Sequence, residues 1–435
     1  ADEYTGEKIG SKLERIREIM KENGCNAHVL SSLDDIAWLL NIRGNDIAYC
    51  PLVLSYAIVY NNSVELFADI RKFSDDIINL LAENQVKIYP YEDIYRKVSE
   101  MTSEDKLLLD SAIMNYSLYQ AISKETVIVD KQNPEILMKS VKNETQAENL
   151  RKAHLKDAVA HTKFMYWLKK NIGRVEITEL SASARLEGLR AEQEHFLGPS
   201  FGPISAYGEH GAIVHYSADE KSNVPLKEGK LFMTDTGGHY LEGSTDITRT
   251  VALGEVGNIE KEHFTLVARA MLRLANTVFL YGCSGANLDC IAREVFWKEG
   301  LNFNHGTGHG VGYLLNIHEG PINFRWKEGE RPAPALEENM VITDEPGIYI
   351  EGSHGIRLEN ELLVRKTVKN EYGQFMNFEI LTYVPIDLDA ILPEKMSTEE
   401  KEMLNHYHKQ VYEKVSPYLS EEERIWLKEY TRAVK

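Results

Sequence analysis

Histidine and glycine are concentrated in one short segment. His305, His309 and His318 lie within fourteen residues and alternate with four glycines in HGTGHGVGYLLNIH. Glycine lets the backbone approach a bound group, and histidine is the commonest metal ligand and a proton carrier near neutral pH. No Gly-Lys-Ser/Thr follows the glycines and no Glu follows His305, so neither a phosphate loop nor a zincin motif fits. We therefore predict a metal or substrate site here rather than a turn with incidental histidines.

Two aspartates flank a glycine-containing connection between two predicted strands. The apolar segment Leu231–Asp235 ends in a carboxylate that is costly to bury unpaired, so Asp235 needs a cation. Asp246 opens the second strand and shares a face with Thr248 and Thr250 by the two-residue period. Taken alone, either aspartate is more simply explained as the cap of a turn.

Two glutamates repeat this arrangement further along the chain. Glu345 ends an apolar strand at a Pro-Gly turn. Arg357, Glu359 and Glu361 are predicted on one face of a later strand whose other face is apolar. A solvent-facing charged stripe explains Glu361 adequately, but it explains Glu359 poorly once the other acidic segments are considered.

Together these segments supply four carboxylates and one imidazole: Asp235, Asp246, His309, Glu345 and Glu359. Like charges repel strongly in a site of low dielectric, so the set requires about two divalent cations in order to converge. Oxygen-rich ligation with one histidine favours manganese, with zinc, cobalt and iron as alternatives. Two such ions can hold a bridging hydroxide and polarise a carbonyl, which is the chemistry of hydrolysis.

The composition restricts the partners of the chain. Its 435 residues carry a net charge of −18, which disfavours nucleic acid and anionic membranes. No segment approaches the roughly 20 apolar residues of a membrane span; Tyr49–Tyr60 is predicted to be a buried strand pair instead. The four cysteines form no CxxC pair and suit a reducing cytoplasm, and no secretory signal opens the chain.

The periodicity predicts an α/β (α+β) protein with two domains. Residues 1–140 form a non-catalytic α/β domain, with strands at 27–30, 57–59 and 64–68. Residues 141–435 form the catalytic domain, which ends in two helices that begin at Ser397 and Ser420. Each serine is followed by a glutamate three residues later, the signature of a capping box.

The chain resembles the pita-bread metallopeptidases, which include methionine aminopeptidase, prolidase and Xaa-Pro aminopeptidase (aminopeptidase P). It is most similar to the cytosolic, eukaryotic-type aminopeptidase P family, and the similarity covers nearly its whole length. The resemblance implies a creatinase-like N-terminal domain and a pita-bread catalytic domain built from two related halves. The motifs that carry it are GAIVHY at 211–216, DITRT at 246–250, HGTGHGVG at 305–312, LNIHEGP at 315–321, LTYVPI at 381–386 and IAWLLNIRG at 36–44.

The resemblance also implies a role for each metal ligand. Asp246 and Glu359 correspond to carboxylates that bridge the two metals, and Asp235 to a ligand of one metal. His309 and Glu345 correspond to ligands of the other metal, with Glu345 also acting as the general base or acid.

The remaining site residues are implied to act on the substrate. His215 and His318 hold it near the scissile carbonyl and stabilise developing charge. His305, Tyr313 and Arg357 complete the substrate pocket, and Arg357 also contacts the acidic ligands.

The implied activity is removal of the N-terminal residue from peptides with proline second, by a homodimer. Prolidase, which accepts only Xaa-Pro dipeptides, is the nearest alternative. A non-catalytic pita-bread binding protein is a second alternative, although all five ligand positions are filled. Long members of the family have two N-terminal domains, whereas this chain has room for one, so a further domain is absent or lies outside this sequence.

Overall fold

The computed structural model describes residues 2–327, 329 and 331–435. It divides into two compact units, Ala1–Thr145 and Gln146–Lys435. Within the described part of the chain, every helix is too short or too polar to cross a bilayer.

The first unit is built on a mixed six-stranded sheet in the order β4-β3-β2-β1-β5-β6. The central strand β1 pairs antiparallel with β2 and parallel with β5, and all four of its residues are buried. The strands are β1 (Ala27–Leu30), β2 (Tyr56–Tyr60), β3 (Val64–Phe67), β4 (Val86–Tyr89), β5 (Lys106–Leu109) and β6 (Val127–Asp130). The helices are α1 (Asp2–Thr5), α2 (Ile9–Glu22), α3 (Leu33–Leu39), α4 (Asp75–Glu83), α5 (Asp93–Ser99), α6 (Tyr116–Ala121) and α7 (Pro134–Ser140).

The predicted strand pair at Tyr49–Tyr60 is wrong, because the segment contains one strand, β2. Tyr49 has a positive φ of 63° and is 47% exposed, and Leu54 is 42% exposed. Pro51 follows closely and cannot donate to a strand ladder. The first half of the segment is therefore a loop, although Leu52 and Val53 within it are buried.

The second unit contains the remaining sheets. Its largest sheet has the order β13-β20-β19-β16-β14-β15, and a three-stranded sheet has the order β12-β9-β8. Smaller sheets are β11-β10-β7 and the β17-β18 hairpin. The strands are β7 (Phe196–Pro199), β8 (Ile204–Tyr207), β9 (Lys230–Thr236), β10 (Gly238–Tyr240), β11 (Gly243–Ser244), β12 (Ile247–Leu253), β13 (Phe279–Leu280), β14 (Gly308–Gly310), β15 (Glu319–Phe324), β16 (Val341–Asp344), β17 (Gly347–Ile350), β18 (His354–Arg357), β19 (Asn360–Asn370) and β20 (Gly373–Ile380).

The described residues of this unit also form six α-helices. They are α8 (Glu144–Asn171), α9 (Glu179–Ala191), α10 (Asn258–Ala275), α11 (Gly285–Lys298), α12 (Thr398–Val415) and α13 (Glu421–Tyr430). Helix α10 places Phe264, Val267 and Met271 at helical spacing in one large apolar core. Both predicted capping boxes are confirmed, at Ser397 before α12 and Ser420 before α13.

The acidic strand predicted around Glu359 differs in the structure. Strand β18 ends at Arg357 and β19 begins at Asn360, so Glu359 lies in a break between two strands. Glu361 is fully buried, so the solvent-facing interpretation of that residue is wrong.

Candidate metal centre and substrate cavity

The second unit contains a cavity of about 560 Å³ that receives nine of the ten predicted site residues. All five predicted metal ligands line it: Asp235, Asp246, His309, Glu345 and Glu359. It is also lined by His215, His305, His318 and Arg357. Tyr313 is absent from the lining.

Three of the predicted ligands lie close enough to share one ion. Ligand atoms of Asp246, His309 and Glu359 all lie within 4.8 Å of one another. His309 Nε2 lies 3.5 Å from Asp246 Oδ2 and 3.6 Å from Glu345 Oε1. The acidic residues therefore converge on the histidine, as the sequence predicts for a metal-binding group.

Two antiparallel strand pairs bring the carboxylates together. In the first pair, Asp235 on β9 lies opposite Thr248 on β12, and Asp246 immediately precedes β12. In the second pair, Asp344 on β16 lies opposite Asn360 on β19. Glu345 and Glu359, the neighbours of that pair, consequently lie side by side at the ends of their strands.

The two strand pairs are joined at Thr248. Its backbone oxygen accepts a hydrogen bond from Glu359 N at 3.0 Å, and its hydroxyl donates to Glu359 Oε2 at 2.7 Å. Glu359, which precedes β19 of the second strand pair, is thereby held close to Asp246 and Asp235 of the first pair.

The glycines around His309 permit a close approach between strands. A Cβ at Gly308 would lie 1.8 Å from Thr343 O, and a Cβ at Gly310 would lie 2.2 Å from Glu319 O. Strand β14 therefore fits between β15 and β16 only with glycine on both sides of His309. This steric requirement explains the glycine alternation that the sequence displays.

The carboxylates are poorly stabilised by the protein alone. Burial, reinforced by neighbouring carboxylates, raises the pKa of Asp246 and of Glu359 well above the usual values, and burial also raises the pKa of Glu345. Asp235 Oδ1, Asp246 Oδ1 and Glu359 Oε1 are buried without a hydrogen-bond partner among the described residues. Buried carboxylate oxygens require cations or donors, so this donor set fits divalent metal ions.

Arg357 neutralises one side of the acidic group. Its Nη2 and Nε lie 2.5 and 3.2 Å from Asp235 Oδ2, and its Nη1 donates to the Tyr349 hydroxyl at 2.7 Å. The Tyr349 hydroxyl lies 2.8 Å from His305 Nε2. Sequence reasoning did not single out Tyr349, although its position two residues after the Pro-Gly turn was a usable signal.

His305 is a neutral acceptor in this chain of contacts. Burial lowers the pKa of His305 to about 4. Its Nδ1 lies 2.7 Å from Gly306 O, which requires the proton on Nδ1 and leaves Nε2 to accept from Tyr349. Along this chain of contacts, Arg357 therefore donates to the Tyr349 hydroxyl, and that hydroxyl donates to His305 Nε2.

His215 and His318 present exposed imidazoles to the cavity. The His318 ring lies 4.4 Å from that of His309, centroid to centroid. Partial desolvation of the ring by the cavity walls, followed by the nearby His309, lowers the pKa of His318 to about 4, so its imidazole is neutral near pH 7. A neutral imidazole can donate one hydrogen bond to a substrate carbonyl and accept another.

Two residues occupy places that the sequence did not indicate. Tyr313 lies in an apolar cluster with Leu150 and Leu363, and its hydroxyl accepts from Asn149 at 3.2 Å, so the structure places it in the core rather than at the cavity. Glu361 accepts from the backbone N of Asp246 at 2.7 Å and thereby fixes that ligand.

Comparison with family models assigns almost every part of the chain. Residues 148–366 match metallopeptidase family M24, residues 1–146 match the creatinase/prolidase N-terminal domain, and residues 374–434 match the C-terminal region of peptidase M24. The chain belongs to metallopeptidase family M24.

Curated relatives agree with that assignment. The chain is 34% identical to aminopeptidase P1 of Arabidopsis thaliana, with 99% of the chain and 74% of that protein covered. It is 36% identical to Xaa-Pro aminopeptidase 1 of Dictyostelium discoideum, with 96% of the chain and 67% of that protein covered.

Solved structures confirm the predicted fold. The X-prolyl aminopeptidase of Caenorhabditis elegans, described as a cytosolic enzyme with a dinuclear active site, superposes with a TM-score of 0.94 at 34% identity, covering 100% of this chain and 72% of that one. The Xaa-Pro dipeptidase of Bacillus anthracis gives a TM-score of 0.68 at 25% identity, covering 88% of this chain and 99% of that one. The expected creatinase-like and pita-bread domains are therefore confirmed.

Proposed function

We propose that this chain is a metal-dependent aminopeptidase that hydrolyses the bond between an N-terminal residue and a proline in second position. The observation that carries the proposal is the group of buried carboxylate oxygens that have no hydrogen-bond partner among the described residues, in a cavity lined by four histidines. When bound, two divalent cations supply Lewis acidity that lowers the pKa of a water molecule and polarises a carbonyl.

The five predicted ligands hold these cations. Asp246 and Glu359 would be shared between the two ions, Asp235 would be a ligand of one, and His309 with Glu345 would be ligands of the other. The short distances from His309 Nε2 to Asp246 and Glu345 support this assignment. Glu345 also holds and returns a proton, a role supported by the raised pKa of its buried carboxyl.

The cavity histidines orient the substrate. His215 and His318 donate hydrogen bonds to the scissile carbonyl oxygen and stabilise the negative charge that develops on it. His305, held by Tyr349, forms the wall of the proline pocket, and Arg357 fixes Asp235. The free amine of the substrate lies beside the acidic group, which restricts cleavage to the N-terminus.

Longer Xaa-Pro peptides are favoured over dipeptides as substrates. The similarity to the aminopeptidase from C. elegans is greater than the similarity to the dipeptidase from B. anthracis, in both identity and TM-score. A non-catalytic binding role is disfavoured because all five ligand positions are filled and face one cavity.

Four further assignments belong to this proposal. Manganese is the native metal, because the ligands are mostly oxygen. Residues 1–140 form the non-catalytic domain and 141–435 the catalytic one. The chain is cytoplasmic, in line with its cysteine usage and the cytosolic relative, and it is a homodimer, as the family resemblance implies. Metal analysis and light scattering test the metal and the oligomeric state directly.

The activity is tested with the peptide Arg-Pro-Pro. The manganese-loaded chain should release Arg and Pro-Pro, and N-acetylation of the peptide should block cleavage because the amine is lost as an anchor. Arg-Ala-Pro should be a much poorer substrate. Asp246→Asn, which keeps the side-chain volume, serves as the inactive control. Equal cleavage of the acetylated and free peptides would refute the proposal, and cleavage of Arg-Pro alone would favour prolidase.

A further inference from the structure

Arg249 is a fully buried arginine in the DITRT segment, beside the acidic centre. Among the described residues, its six hydrogen-bond acceptors include no carboxylate; they are Thr248 O, Glu359 O, Asn360 Oδ1, Val384 O, Pro385 O and Tyr407 Oη. A guanidinium buried among neutral acceptors is costly unless its geometry is well satisfied and its charge is used. Its hydrogen bond to the backbone oxygen of Glu359 links it directly to one predicted metal ligand.

Two of these contacts fix the backbone that carries a predicted metal ligand. Arg249 Nη1 donates to Glu359 O at 2.6 Å and to Thr248 O at 2.8 Å. Thr248 in turn accepts from Glu359 N at 3.0 Å and donates to Glu359 Oε2 at 2.7 Å. Glu359 is therefore held at its backbone oxygen, its backbone nitrogen and one carboxylate oxygen by Arg249 and its neighbour.

The other end of the guanidinium contacts the C-terminal helix α12. Tyr407, on α12, is 1% exposed, and its hydroxyl accepts from Arg249 Nη2 at 2.8 Å. That hydroxyl donates to Val384 O at 2.7 Å, and Val384 O also accepts from Arg249 Nη2 at 2.9 Å. Helix α12 thus reaches Glu359 through one tyrosine and one arginine.

We propose that Arg249 and Tyr407 are positioning residues through which helix α12 sets the affinity of the metal centre. Neither side chain lines the cavity, so neither contacts substrate or metal. The inference rests on the proposed function, since it assumes that Glu359 binds metal. Under this proposal, the C-terminal region of the chain contributes to metal binding as well as to the hydrophobic core.

The test uses Tyr407→Phe in the full-length chain. Arg249→Lys is the more direct change, but it removes most of a buried network and endangers folding. Tyr407→Phe keeps the ring and its packing and removes only the hydroxyl. Tyr430→Phe on α13 is the matched control, because it removes a hydroxyl that donates to Asp389 at 2.9 Å, away from this network.

The measurement is the dissociation constant of Mn²⁺, obtained by competition with a fluorescent chelator, together with the visible absorption spectrum of the Co²⁺-substituted protein. We expect Tyr407→Phe to weaken Mn²⁺ binding at least tenfold, within the 10- to 100-fold range typical of residues that orient metal ligands. The Co²⁺ bands should shift. Tyr430→Phe should match the parent protein in both readouts.

A purely structural role for Tyr407 would lower the melting temperature without changing either metal readout, and that result would overturn the inference. Equal weakening by Tyr407→Phe and Tyr430→Phe would overturn it as well. If the parent chain itself binds no Mn²⁺, the proposed function fails, and this inference fails with it. If the parent binds Mn²⁺ and Tyr407→Phe binds it equally well, only this inference fails.

Discussion

Removing the cations from the proposed metal centre should destabilise the second unit, most strongly at alkaline pH. Ligand oxygens of Asp246 and Glu359 lie within 4.8 Å of each other. Two unit charges at that separation repel by about 3.5 kcal/mol at an effective dielectric constant near 20. Two divalent cations convert this repulsion into attraction, so metal binding to the folded state stabilises it.

The pH dependence follows from the raised pKa values. Burial and neighbouring carboxylates raise the pKa of Asp246 and Glu359 in the metal-free fold. A carboxyl whose folded pKa is raised contributes stability that is fully present below its unfolded pKa, near 4, and is lost as the pH rises through the folded value. At low pH, protons bound to these carboxyl groups therefore remove the repulsion that the cations would otherwise remove. At high pH the carboxyl groups are ionised, and only the cations can remove it.

The assay is thermal unfolding of chelator-treated protein with and without Mn²⁺, at about pH 5.5 and about pH 8. Removing a repulsion of about 3.5 kcal/mol between Asp246 and Glu359 corresponds to a rise in Tm of roughly 7–14 °C for a unit of this size. We expect that rise at about pH 8 and a clearly smaller one at about pH 5.5.

Glu359→Gln is the matched variant for this experiment. It removes one negative charge but keeps an oxygen to accept from the Thr248 hydroxyl, which donates at 2.7 Å. At about pH 8 the metal-free variant should unfold at a higher temperature than the metal-free parent, and Mn²⁺ should raise its Tm by less than half the parental increment. The reasoning is refuted if parent and variant gain equally from Mn²⁺, or if the parental gain is larger at the lower pH.

Three other predictions concern single side chains. Replacing His215 or His318 with Ala should lower kcat by about 10²-fold while metal content by elemental analysis stays unchanged; loss of metal would mark the residue as a ligand. Tyr349→Phe removes the hydroxyl that joins His305 to an arginine, so KM for Arg-Pro-Pro should rise while the Mn²⁺ dissociation constant stays constant. Thr248→Val removes the donor to Glu359 Oε2, so chelator competition should show Mn²⁺ bound about 10- to 100-fold more weakly, whereas Thr248→Ser should retain parental affinity.

Local sequence patterns were sufficient to predict the elements that carry the site. The apolar segments that lead to Asp235 and Glu345 and the capping boxes before α12 and α13 reflect short-range constraints, and the glycine alternation around His309 is visible in the sequence although its steric cause lies in neighbouring strands. The structure places these features where the patterns predict. A short-range pattern is readable because its steric or hydrogen-bonding cause lies within a few residues.

Contacts between distant segments could not be predicted from such patterns. Glu361 looks like a solvent-facing charge because its partners, the backbone N of Asp246 and His154 Nε2 at 3.1 Å, lie more than a hundred residues away. Tyr313 lies within the glycine-rich segment, yet the turn directs it into an apolar cluster with Leu150. Burial at these positions depends on which elements pack together, and local sequence patterns do not reveal that packing.

The charges around the cavity fit a reaction that creates an oxyanion. Four carboxylates and the guanidinium groups of Arg325 and Arg357 leave two negative charges, and two divalent cations would change that total to two positive charges. The lowered pKa values of His305 and His318 keep both imidazoles neutral near pH 7, so they do not add to it. A loaded cavity with excess positive charge favours a ligand that gains one negative charge over one that stays neutral. A scissile amide gains that charge as its carbonyl is attacked, so the site stabilises the transition state more than the bound peptide.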